Sequence, residues 1–186
     1  MRLQELHNFM GVPLYCFPPV SRGDARVLIL GSMPGERSLR EAQYYAYPHN
    51  AFWPIMAQLF DFSPTLPYAE RLEHLKANHV ALWDVLASCR RKGSLDSAIE
   101  ADSVRPNDFG AFLLAHPQLR VIFFNGGPAE QLFRRHVLPR LAPLPADLPL
   151  LRLPSTSPAN ARLKLEEKLT HWRQLREFLA AGYGNA

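Results

Sequence analysis

Four short apolar runs limit most tightly what this chain can fold into: RVLIL (26–30), HVALW (79–83), LRVIFF (119–124) and PLLRL (149–153). Three of them lack clean apolar–polar alternation. Strands of that kind are buried on both faces, and burial on both faces is the mark of a parallel sheet covered by helices. Helical patterns lie between the runs. AFWPIMAQLF (51–60) is amphipathic, with Pro54 in its first turn or kinking it. YAERLEHLKAN (68–78) puts Leu72 and Leu75 on one face, and NDFGAFLLAH (107–116) offers Asn107 as an N-cap. PAEQLFRRHVL (128–138) opens on Pro128, which suits a first helical position. In ARLKLEEKLTHWRQLREFLAAG (161–182), Leu165, Leu169, Trp172, Leu175 and Leu179 recur at three- and four-residue spacings, and Gly182 ends the helix. The alternation predicts an α/β protein, a three-layer α/β/α sandwich around a four-stranded parallel sheet, with residues 1–186 as one domain.

Composition narrows the class. At 186 residues, 47% apolar and 20% charged, the chain reads as soluble and globular. No apolar run approaches a membrane span. The segment MRLQELHNFMGVP has no signal-peptide core, so a cytoplasmic location is expected. Two cysteines, Cys16 and Cys89, fit no CxxC pattern and argue against a disulfide framework, a zinc ribbon or an iron–sulfur site. A net charge of +4 with a pI near 9.3 permits a polyanionic partner without requiring one.

Ligands of open α/β sheets bind at the carboxyl ends of the strands. Here the strand exits read GSMPGERS, DVLASCRRKGS, NGGPAE and PSTSPAN. All are polar, and their short side chains and backbone amides converge on one rim. The first exit lacks the lysine of a P-loop and is not GxGxxG, and its serine misses the middle of a GxSxG elbow. His74 and His79 straddle a helix end and read as packing or surface residues, not zinc ligands. A pocket for a flat heteroaromatic ring fits better. Tyr44, Tyr45 and Tyr47 supply aromatic faces, and Asp84 and Asn125 supply polar groups for a ring edge. The competing reading makes the tyrosines rim packing, Asp84 a helix cap and Asn125 a turn residue.

The blocks LILGSMPG, YYAYPHNAFW, LWDVLASCRRKGSLDSAI, VIFFNGGPAEQLF and LPSTSPAN, in this order, resemble the uracil-DNA glycosylase superfamily, and within it the hypoxanthine-DNA glycosylase branch. The resemblance implies a four-stranded parallel sheet flanked by helices. It also implies an enzyme that flips a damaged base out of DNA and hydrolyses its N-glycosidic bond. Ser32 then stands where the superfamily carries a catalytic Asp or Asn, and the resemblance moves catalytic weight to Asn50. Asn50 alternatively caps the helix that follows it.

Of the two tyrosines, Tyr45 is preferred to Tyr44 as the one that stacks on the base, with Met33 and Phe52 completing the base pocket. Asp84 would accept from N1–H of hypoxanthine, and Asn125 would donate to O6 or N7. Leu153 occupies the His/Asn position of the second superfamily motif. Ser155, Ser157 and the start of the last helix would grip phosphates, and Asn160 or Arg162 would probe the groove. Ser157–Pro158 reads equally as an N-cap and first helical residue. Arg37, Arg40, Arg90, Arg91, Lys92, Arg162 and Lys164 are candidate backbone contacts.

No lysine sits in a nucleophile position and no carboxylates pair as in sugar hydrolases, so a monofunctional glycosylase without metal or cofactor is expected. The partner would be DNA containing deaminated bases, and the protein a monomer. Two alternatives remain open: a mismatch-type uracil or thymine glycosylase, and a catalytically weak nucleic-acid-binding module on the same fold.

Overall fold

All four apolar runs are strands of one parallel sheet in a computed structural model that describes residues 12–141 and 148–180. They are β2 (Val27–Gly31), β3 (Val80–Asp84), β6 (Val121–Asn125) and β7 (Leu150–Leu153), in the order β3-β2-β6-β7. The β2 residues Val27 to Leu30 are wholly buried, as are Val121 to Phe124 of β6. Burial on both faces is what the missing alternation signalled. Register aligns Gly31 with Asp84 and Asn125 with Leu153, so the strand exits come level at one edge.

Three short strands escape a sequence reading. These are β1 (Leu14–Tyr15), β4 (Leu86–Cys89) and β5 (Arg105–Pro106), which form a small antiparallel sheet in the order β1-β4-β5. Val20 also bridges Leu82 of β3 in antiparallel sense. The helices are α1 (Glu36–Glu41), α2 (Phe52–Phe60), α3 (Tyr68–Ala77), α4 (Phe109–Ala115), α5 (Gly127–Leu132), α6 (Leu165–Trp172) and α7 (Gln174–Ala180). Helix α2 contains Pro54 in its first turn, where the missing N–H costs nothing.

Several helix ends differ from expectation. Asp108, not Asn107, caps α4: its carboxylate accepts from Ala111 N at 2.9 Å. Asn107 instead donates from Nδ2 to the Asp84 carbonyl at 2.9 Å, tying α4 to the end of β3. Pro128 is the second residue of α5, after Gly127, and a π-turn over Phe133–Val137 continues that helix. The long last helix is two, broken at Arg173. It starts at Leu165, where Lys164 N donates to Glu167 Oε2 at 2.7 Å in a capping arrangement. Neither Ser157 nor Pro158 belongs to it, so no helix N-terminus lies at PSTSPAN.

His74 stacks on Phe62, and His79 meets Asp24 at 3.1 Å, both in packing roles. Gly182 and residues 1–11, which include most of the segment read for a signal peptide, lie outside the described residues. Among the described residues, no helix is long and apolar enough to cross a membrane.

Candidate active site

A cavity of about 330 Å³ opens where β2, β3 and β6 end, closed on the far side by the loop after β7. That volume is in the range of a small-ligand site. Gly31, Asp84 and Asn125 form its floor from the three strand ends. Gly31 is required here: a Cβ would run into Asp84 Oδ1 and come within 3.1 Å of the Tyr45 hydroxyl. Ser32, Met33, Asn50 and Tyr45 also line the cavity, with Ser155 and Ser157 opposite.

The two adjacent tyrosines separate by environment. Tyr44 is 2% exposed, and its hydroxyl donates to the carbonyls of Phe17 and Pro18, each at 3.3 Å. Tyr45 is less buried and holds a backbone φ of 54°, the left-handed region that a bulky side chain seldom adopts. Such strain persists only when the surroundings enforce it. Phe52 stacks on the Tyr45 ring with centroids 4.0 Å apart and planes at 19°. Asn125 Nδ2 donates to the Tyr45 hydroxyl at 3.0 Å.

Phe52 is therefore not a wall of the base pocket. It is wholly buried, takes no part in the cavity lining, and supports Tyr45 from behind. Its position at the start of α2 turns the side chain into the core.

Asn125 is similarly committed. Nδ2 also donates to Thr156 Oγ1 at 2.8 Å, and Oδ1 accepts from Thr156 N at 2.9 Å. Both amino hydrogens are spent, so the expected donation to a base from this amide is not available in this arrangement. Asn125 is instead a clamp between Tyr45 and the loop after β7. Trp172 secures the same loop by donating from Nε1 to the Pro154 carbonyl at 3.0 Å. Asn50 divides its work: one position before the N-cap Ala51, its Oδ1 accepts from Phe52 N at 3.0 Å at the start of α2, while the residue also lines the cavity.

Asp84 is 3% exposed, and burial pushes its carboxyl up to about 7, with the Asp96 charge adding to the rise. A contact from Cys16 Sγ at 3.6 Å and the charge of Arg91 oppose it. Burial also raises the Cys16 thiol and the Tyr44 and Tyr45 hydroxyls, so all three stay neutral. A carboxyl whose pKa is higher folded than unfolded binds more protons in the folded state between the two values. Stability from this group is therefore full below the unfolded pKa and is lost as pH rises through about 7. Asp84→Asn should match the wild type in urea denaturation near about pH 4 and exceed it by on the order of 1–3 kcal/mol near about pH 8. A difference that does not grow over that interval would contradict the raised carboxyl.

Ser32 has a partner that the motifs did not suggest. Its Oγ donates to Asp96 Oδ1 at 2.7 Å, across 64 positions of sequence. Asp96 lines the cavity from the 3-10 turn Asp96–Ala98. Burial raises this carboxyl too, while the Ser32 bond and Arg91 lower it. Arg91 is no phosphate contact: its side chain is fully buried and donates to the Pro34 carbonyl at 2.6 Å and the Gly93 carbonyl at 2.9 Å. The sequence clue was an acidic residue in the block LWDVLASCRRKGSLDSAI, twelve positions beyond β3.

The family model of the uracil DNA glycosylase superfamily matches residues 18–179. This chain belongs to the uracil DNA glycosylase superfamily. Two relatives, from Methanosarcina barkeri and Methanosarcina acetivorans, are each named hypoxanthine DNA glycosylase. Each is 38% identical over 122 residues, covering 63% of this chain and 76% of the relative. The solution NMR structure of a Methanosarcina acetivorans protein, provisionally assigned as a uracil DNA glycosylase, superposes with a TM-score of 0.69. It is 33% identical and covers 89% of this chain and 99% of its own.

As a member of the uracil DNA glycosylase superfamily the chain departs from the usual motifs at two positions. Ser32 sits on the cavity wall without a carboxylate of its own, and Leu153 is 1% exposed in the core and takes no part in the lining. Among the residues expected at DNA, Ser155 and Ser157 line the cavity mouth. Asn160 is drawn back by a bond from its Nδ2 to the Ser155 carbonyl at 3.2 Å, and Arg162 is exposed beyond the lining. Arg90 is occupied by Glu100 and Asp102, at 2.6 and 3.0 Å. Arg37 reaches the cavity rim while paired with Glu41 at 2.7 Å. Among the described residues, no group of three or more His, Cys, Asp or Glu is placed to hold a metal ion.

Proposed function

We propose that this protein releases hypoxanthine from DNA by hydrolysis, leaving an abasic site. The observation that carries the reading is one cavity lined by both Asn50 and the enforced Tyr45, where the loop after β2 offers Ser32 in place of Asp or Asn. The names of the Methanosarcina relatives support it.

In this reading the deoxyinosine nucleotide leaves the duplex and its base enters the cavity; a weakly paired lesion makes that step less costly. Tyr45 stacks on the purine and Met33 packs beside it. Asn125 acts indirectly, by holding Tyr45 and Thr156. Ionised Asp84 accepts from N1–H of the base, and protonated Asp84 donates to O6. Asn50 uses Oδ1 on the helix and turns its amino group to the sugar or the attacking water. The electrostatic contribution of such a fixed donor is large because the site excludes bulk solvent. Ser155 and Ser157 contact the DNA backbone next to the flipped nucleotide. The protein works as a monomer in the cytoplasm on DNA with deaminated bases and uses no cofactor.

Duplex oligonucleotides carrying deoxyinosine, deoxyuridine or deoxyxanthosine test the lesion preference, with alkali cleavage reporting abasic sites. Cleavage is expected at inosine above the other two. Cleavage at uracil alone would favour a mismatch-type uracil glycosylase, and binding without cleavage on all three would remove the enzymatic reading.

A further inference from the structure

A serine hydroxyl is a weak base, so Ser32 by itself is poorly suited to take a proton from water. The structure surrounds it with more than a serine. Ser32 Oγ points its hydrogen at Asp96 Oδ1, 2.7 Å away, and both residues line the cavity. With that hydrogen committed, the oxygen lone pairs of Ser32 remain to accept from a water.

Asp96 is itself held. The buried Arg91 guanidinium lies 3.8 Å away through NH1, an atom with no hydrogen-bond partner. The rest of Arg91 grips the Pro34 carbonyl in the loop after β2 and the Gly93 carbonyl in the turn before Asp96. One buried cation thus fixes the separation of the two loops that carry Ser32 and Asp96. It also offsets the carboxylate charge at a site where Asp84 is near.

We propose that Ser32 and Asp96 together form the water-activating unit, with Ser32 touching the water and Asp96 as the positioning residue behind it. This rests on the glycosylase reading above. As the C1′–N9 bond breaks, its electron pair leaves with the purine. The water oxygen bonds to C1′ and passes a proton to Ser32 Oγ, while the Ser32 proton moves to Asp96 Oδ1. The purine anion takes one proton from solvent and Asp96 returns one, so the net reaction consumes one water. A carboxylate from a different loop thereby supplies what position 32 lacks.

The test uses the full chain, a duplex with one deoxyinosine, and single-turnover rates beside Kd for the same duplex. Asp96→Asn, Ser32→Ala and the double variant are compared. Each single change should slow base release by at least about 100-fold with Kd unchanged. The double variant should be no slower than the slower single, because the two act as one unit. Ser32→Ala leaves Arg91 and Asp96 in place, so it reports even where Asp96→Asn weakens the fold. Wild-type rates in either single variant, or losses that multiply in the double, would overturn the relay while leaving the glycosylase reading intact. So would a loss that appears in Kd and thermal stability instead of rate. A wild-type protein that releases no base would overturn both.

Discussion

Asn50→Ala should lower single-turnover release of base from deoxyinosine DNA by about 100- to 1,000-fold, the usual cost of losing one preorganised donor in a closed site. The same change should cost the fold about 0.5–2 kcal/mol, because Asn50 Oδ1 also accepts from Phe52 N at 3.0 Å. The two losses separate in Asn50→Asp. A carboxylate keeps the bond to Phe52 N, and near a helix N-terminus it is well tolerated, but it removes both amino hydrogens from the cavity. Stability near wild type with base release as slow as in Asn50→Ala is the expected pattern. If Asn50→Ala releases base at the wild-type rate, Asn50 holds the start of α2 and nothing more.

Phe52→Ala should be the most destabilising single change near the site. Phe52 is wholly buried, stacks on Tyr45 at 4.0 Å and meets Trp53 and Trp172 edge-on at 5.1 and 6.1 Å. Truncating a buried phenylalanine costs about 3–5 kcal/mol, read from the urea midpoint with an unchanged slope. The functional consequence is separate. Tyr45 holds a left-handed backbone that its surroundings must enforce, and Phe52 is half of that enforcement. Phe52→Leu keeps most of the volume and loses the flat platform. It should remain folded yet bind deoxyinosine DNA more weakly than wild type. Equal affinity in Phe52→Leu would remove Phe52 from the account of the base pocket and leave it as core alone.

The sheet was legible because burial on both faces leaves a local signature, and RVLIL, HVALW, LRVIFF and PLLRL each became a strand. The antiparallel side sheet was not, because strands as short as Arg105–Pro106 have no periodicity to read. The break at Arg173 was hidden for the opposite reason: Trp172 and Leu175 keep helical spacing straight across it.

In the site, the residue types were legible and their directions were not. Tyr44 and Tyr45 are neighbours, yet one hydroxyl is bound to backbone carbonyls of the 17–18 segment and the other to Asn125. Those partners lie far away in sequence, so counting could not choose between them. The resemblance puts Phe52 in the base pocket, but its place at the start of α2 turns it into the core. Asn125 looked like a free amide until Thr156 and Tyr45 were seen to use it. Asp96 lies in the LWDVLASCRRKGSLDSAI block but twelve positions past the end of β3, and only the Ser32 bond brings it to notice. Long-range hydrogen bonding, not local pattern, decides the two tyrosines, Asn125 and Asp96.

A cavity that frees a purine from DNA must leave that purine in solution. The most direct measurement is the free base itself, collected after incubating the protein with a duplex containing one deoxyinosine and identified by mass. Free hypoxanthine should accumulate in step with alkali-labile sites on the inosine strand. An intact inosine strand with no free hypoxanthine, from a folded protein that binds the duplex, would contradict it.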